Sequence, residues 1–223
     1  MKKIILFLSF ISSISCAQEC SNYFYLQSNK KIELGIIDKK GKPVGKQVYK
    51  VGEVVKTSAG LQAKVNSEMM NEKGKVLSGS SIDITCKNGI LVMDMNVFVP
   101  QEQASQFKNT SAKADQVYLE YPGKMKIGEM LKDGKIVMNV ENNAIAQKLT
   151  IEIFDRKVEE AEKITTPAGT WDTFKISQKT RITMETMGIP IKFNIEGFEW
   201  FKPGFGTVRS QTNMGSSEII SIE

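Results

Sequence analysis

The sequence contains no histidine. That absence removes Ser-His-Asp and Cys-His activation of a nucleophile, imidazole general bases and every metal site built on imidazole. A Walker-type Gly-Lys-Ser/Thr loop is missing too. The glycine-rich stretch Pro203-Gly204-Phe205-Gly206 lies between β-prone segments and opens no helix, so it cannot cradle a phosphate. The spacing of acids and glycine that forms a calcium loop does not occur. Asp94, Glu185 and Glu199 remain as acids within β-prone segments. All three are assigned to faces that meet water, which argues against a pair of carboxylates across a glycosidase cleft. We therefore predict no catalytic residue, no metal ligand and no cofactor.

Long hydrophobic runs are also missing, with one exception at the start. Lys2 and Lys3 precede an apolar run from Ile4 to Ile14 that only serines interrupt, and Ser15-Cys16-Ala17-Gln18 follows. Positive, apolar and small-residue regions in that order are the layout of a secretory signal with an A-x-A type cleavage site. The run falls short of the roughly 20 residues that a spanning helix needs. Residues 1–17 are thus expected to be a signal peptide and 18–223 a single exported domain, periplasmic or associated with the outer envelope. Cys16 allows the alternative of a lipoprotein signal. Ser13, where such sites favour an aliphatic residue, weighs against lipidation and for a soluble product.

Of only three cysteines, cleavage after Ala17 removes one and leaves Cys20 and Cys86. In an oxidising compartment the two either bridge or stand as buried thiols. Loss of Lys2 and Lys3 leaves 28 basic against 25 acidic residues, a net charge of +3. The lysines are dispersed and no basic stripe occurs, so nucleic acid is not an expected partner.

What the chain has in quantity is alternation. Ile82, Ile84 and Cys86 share one parity, as do Leu91, Met93, Met95 and Val97. Ile136, Met138 and Val140 follow the same rule, with Leu149, Ile151 and Ile153, and with Ile189, Ile191, Phe193 and Ile195. A period of two gives each strand one inward and one wet face. Turn signals separate these segments: Asp38 to Gly41, Asn71 to Gly74, Asn88-Gly89, Asp133-Gly134, Pro167 to Gly169, Gly188, Pro203-Gly204 and Gly215. Asn88-Gly89 is the strongest, a type I′ hairpin. The pattern is an antiparallel meander, which periodicity alone leaves as an open sheet, a sandwich or a barrel. Pro100 to Phe107 lacks β-branched residues and opens on proline, which predicts one short helix.

The eleven methionines are numerous for this length. Thioethers adapt to variable apolar partners, although they also fill β cores. Met93, Met95, Met138 and Met184, with Ile191 and Phe193, are the candidate ligand contacts. Trp171, Phe198, Trp200 and Phe201 are expected in the core.

A set of phrases runs in order through the mature chain. They include Cys20-Ser21-Asn22-Tyr23-Phe24, Cys86-Lys87-Asn88-Gly89, Ile127-Gly128-Glu129-Met130-Leu131, Asp155-Arg156-Lys157-Val158 and Glu199-Trp200-Phe201-Lys202-Pro203-Gly204. In that order they resemble the TapB-like exported proteins of Gram-negative bacteria, a domain of unknown function. The resemblance implies a curved antiparallel half-barrel, similar in shape to periplasmic lipoprotein carriers. Thr173 stands where similar sequences often carry a third cysteine, so a bridge would join Cys20 and Cys86. The expected function is a non-catalytic envelope protein that takes a lipid or acyl chain on a concave face. The alternative is an interaction module that docks another envelope protein and has a fully packed core.

Overall fold

The computed structural model describes residues 20–58, 60–95, 113–115, 118–142 and 145–223. The predicted signal peptide and the predicted helix at 100–107 lie outside the described residues. Among those residues the one helical element described whole is the 3-10 turn Phe24–Leu26.

The remainder is one antiparallel sheet of thirteen strands. The first meander consists of β1 (Lys31–Asp38), β2 (Pro43–Thr57), β3 (Gly60–Asn71), β4 (Val76–Lys87) and β5 (Ile90–Asp94). Two short strands follow, β6 (Lys113–Asp115) and β7 (Tyr118–Tyr121). The second meander is β8 (Gly134–Asn142), β9 (Ile145–Thr166), β10 (Gly169–Thr186), β11 (Ile189–Lys202), β12 (Gly206–Thr212) and β13 (Gly215–Ile222). Pairing of β13 with β1 joins the two meanders in the middle of the sheet, so β6 and β7 become its edges. The sheet then curls into a nearly closed barrel. Arg156 of β9 donates to the Glu120 carbonyl in β7, and Tyr121 of β7 stacks on Phe201 of β11 with ring centres 4.7 Å apart.

The turns form as their residues dictate. Asn88 and Gly89 have φ of 53° and 76°, the paired left-handed conformation of a type I′ turn, and the flanking Lys87 and Ile90 pair. Two other hairpins share one device. The Asp38 carboxylate accepts from the amides of Lys40 and Lys42, and the Asn71 side chain accepts from those of Lys73 and Lys75.

Alternation carries the core as expected for Ile82, Ile84, Cys86, Leu91, Met95, Ile136, Met138, Leu149, Ile151 and Ile153, all buried. Cys20 and Cys86 are bonded, with Cα atoms 5.6 Å apart, which ties the 3-10 segment to β4. Of the aromatic residues, Phe201 and Trp200 are buried and Trp171 packs against the core, whereas Phe198 is exposed.

Candidate functional site

Strand register defines a single inner face across β8 to β11. One row reads Met138, Leu149, Met184, Ile191, and the next reads Ile136, Ile151, Ile182, Phe193. Within each row burial falls steadily. Met138, Leu149, Ile136 and Ile151 belong to the core, and Ile182 and Met184 are half-buried against it. Ile191 and Phe193 are 57% and 50% exposed. Ile189 and Met187, at the tip of the β10–β11 hairpin, are more exposed still. The outer strand of this long hairpin outruns whatever the described residues lay over it, and an apolar face is left open to solvent.

The six candidate contacts are therefore not one site. Met184, Ile191 and Phe193 share the open face. Met138 is the buried end of its row, and Met93 and Met95 lie on the β5 side of the sheet, Met95 wholly in the core. A period of two assigns the side of a sheet but not how much of that side is covered, and it was the covering that separated them.

Further along β10 and β11 the inner face turns polar, at Gln178 and Glu199. Asp94 and Glu199, expected in water, are 4% and 5% exposed. Asp94 closes the β5 ladder opposite Tyr118, at the end of the strand. Glu199 has the parity of Phe201, not of Phe198 and Trp200, and so it points inward. Glu185 is half-buried.

Opposite Glu199 is Arg156, which is fully buried. The alternation of β9 slips at this point: Asp155 adopts φ +53°, and two residues, Asp155 and Arg156, face Gln178 alone. Such a bulge re-aims a side chain, and here it turns a guanidinium into the interior. Arg156 Nη1 donates to the carbonyls of Lys132 (2.8 Å) and Glu120 (3.2 Å), and the guanidinium lies over the Tyr121 ring at 4.6 Å. Its Nη2 is 3.6 Å from Glu199 Oε1, an ion pair too long to be a hydrogen bond. Glu199 Oε2 accepts from Tyr121 Oη (3.2 Å) and Thr207 Oγ1 (3.4 Å).

Burial raises the Glu199 carboxyl above its ordinary value, opposed chiefly by the charge of Arg156 and the hydrogen bond from Tyr121. An acid with a raised native value holds its proton more tightly folded than unfolded. Its contribution is present at low pH and is lost as pH climbs from about 4.5, the ordinary value, through the native one. Glu199→Gln removes that titration and should flatten the decline of stability above pH 4.5 in urea melts taken from pH 4 to 7. A variant profile parallel to that of the wild type would assign the decline to other groups.

A hollow of about 390 Å³ lies against Phe198, Trp200, Lys175 and Lys179. Its charges already serve one another: Lys179 binds Asp155 at 3.0 Å and Lys175 binds Glu160 at 2.9 Å. The ammonium of Lys175 also sits over the Phe198 ring.

The architecture is shared with two solved structures. One is a candidate exported protein with a YmcC-like fold from Bacteroides fragilis: 24% identity, TM-score 0.68, covering 90% of this chain and 98% of the other. The second is a candidate lipoprotein from Parabacteroides distasonis: 20% identity, TM-score 0.69, covering 90% and 99%. At these identities the likeness concerns the fold. No curated protein matches the sequence. A family model described as DUF3108-like matches residues 27–222. That match carries the family kinship expected from the ordered phrases, without the TapB label. Strands β1 to β13, the buried Arg156 and Glu199 and the open apolar face all fall within it, and the chain belongs to the DUF3108-like family.

Proposed function

We propose that this is a non-catalytic exported protein of the cell envelope that binds an apolar, acyl-type ligand on the open inner face of β10 and β11. The observation that carries the reading is the run of large apolar side chains at the hairpin tip, Met187, Ile189, Ile191 and Phe193, each half exposed or more. They are continuous with Met184 and Ile182 on a face that is core elsewhere. Exposed apolar surface of this kind marks a site of interaction. The signal-like N-terminus supplies the compartment. The charged groups that face each other inside the sheet, Arg156 of β9 and Glu199 of β11, engage each other and their neighbours in the core, which suits recognition and not turnover.

Ile191→Asp and Phe193→Asp place charge on exposed positions and leave the core intact. Each should weaken binding of Nile red, an uncharged apolar dye, by about tenfold or more, the scale of one lost buried side chain. Native mass spectrometry of protein purified from envelopes should show co-purified lipid in the wild type and less in the variants. A wild-type chain that carries no lipid and leaves the dye dark would sink the reading. If the same patch instead captures a defined envelope protein, the packed-core interaction module takes its place.

A further inference from the structure

Four buried side-chain polar atoms among the described residues have no hydrogen-bond partner: Arg156 Nε, Arg156 Nη2, Glu199 Oε1 and Gln178 Oε1. They belong to only three residues, and register brings the three together. Gln178 stands opposite the Asp155–Arg156 bulge on one side and pairs with Gly197 on the other, two residues from Glu199. Interiors rarely tolerate such atoms, and each costs the desolvation of the group. Two of the four, Arg156 Nη2 and Glu199 Oε1, face each other as the 3.6 Å ion pair, and a polar guest inserted there would complete the cluster.

The chemistry of the guest can be read from the atoms left over. Nε and Nη2 form the side-on edge of the guanidinium, two parallel donors matched to the two oxygens of a planar acid. The end-on nitrogen, Nη1, is spent on the two carbonyls. Glu199 Oε1 and Gln178 Oε1 can only accept, so the guest must also offer a donor. A carboxyl group offers two oxygens to the Arg156 edge and one proton, shared with Glu199, which leaves a single negative charge facing a single permanent positive one, and the Gln178 amide can turn its Nε2 to donate to the head.

Position supplies the rest. From Gln178 the inner face runs outward through Thr180, Ile195 and Ile182 to Phe193 and Ile191, and exposure rises along the way. The six residue steps from Gln178 to Met184, which pairs with Ile191, span about 20 Å of strand. That is the reach of a long acyl tail.

Resting on the apolar-ligand reading above, we propose that the ligand is a long-chain carboxylic acid. Its head parts the long Arg156–Glu199 contact to dock on the side-on edge of Arg156, between Glu199 and Gln178, and its tail follows β10 and β11 to the open hairpin tip. The test compares palmitate with methyl palmitate, which has the same tail but neither the charge nor the acidic proton, by calorimetric titration into the wild-type protein. Palmitate should bind at least about tenfold tighter, the scale of one charge-assisted hydrogen bond. Arg156→Lys keeps the charge and loses the edge, and it should erase that preference while retaining the ester. If that variant fails to fold, Gln178→Leu serves instead and should weaken palmitate alone. Equal affinity for acid and ester overturns this inference and leaves the apolar site standing. Failure of both, together with a dark Nile red assay, sinks both readings. Binding to phosphatidylcholine vesicles without uptake of monomeric palmitate would overturn it in favour of membrane contact.

Discussion

Arg156→Met should lower the folding free energy by about 3–5 kcal/mol, the cost of breaking a buried charge pair from one side. For a chain of this size that corresponds to a fall in Tm of roughly 10 °C. The guanidinium is the point at which the curl of the sheet is fastened. It holds the Glu120 carbonyl of edge strand β7, the Lys132 carbonyl ahead of β8, the face of Tyr121 and the carboxylate of Glu199. Methionine replaces the stem but none of the donors, so two carbonyls and a carboxylate are left in the interior with their needs unmet. Thermal melts followed by circular dichroism would measure the effect. A loss below 1 kcal/mol would mean that the pair is worth no more than an apolar substitute, as some buried ion pairs are.

Reduction of the Cys20–Cys86 bond should cost about 4 kcal/mol, because it frees a loop of 66 residues in the unfolded chain. Cys20→Ala with Cys86→Ala should give a similar loss. The damage should be local at first. The bond anchors the 3-10 segment, whose Tyr23, Phe24, Tyr25 and Leu26 are all buried, and Tyr23 Oη donates to the Gly89 carbonyl within the β4–β5 turn. Hydrogen exchange in this segment should therefore rise before that in β9 and β10. Equal midpoints for oxidised and reduced protein in denaturant would remove the bond from the sources of stability.

The strands and their turns were legible because alternation and glycine-bearing turns are local signals, and each hairpin here is local. Ile82, Ile84 and Cys86 follow their parity inward, and Asn88-Gly89 makes the turn its residues require. Burial was less legible. Ile191 and Phe193 alternate as well as Ile151 does, yet they project beyond the strands that cover it, and coverage is a property of the whole sheet. Glu199 was misread because charge was allowed to outweigh parity. Its neighbour two positions on, Phe201, already marked the inner side. Arg156 was missed although the sequence carries a trace of it. The apolar positions of β9 are odd through Leu149, Ile151 and Ile153 and even at Val158, a one-residue slip that announces a bulge. What no local signal could supply is that this bulge meets Glu199, across a strand and 43 positions along the chain.

The seam at the middle of the sheet has a consequence for how the molecule is made. Strand β1 pairs with the last strand, β13, and Lys31 meets Glu223 across 192 positions. A chain emerging N-terminus first can build β1 to β5 early, but one flank of β1 then stays bare until the final strand arrives. Closing so distant a contact is slow, and an unmated strand is a template for pairing with strangers. Biogenesis, more than the finished barrel, is where this architecture is vulnerable to aggregation.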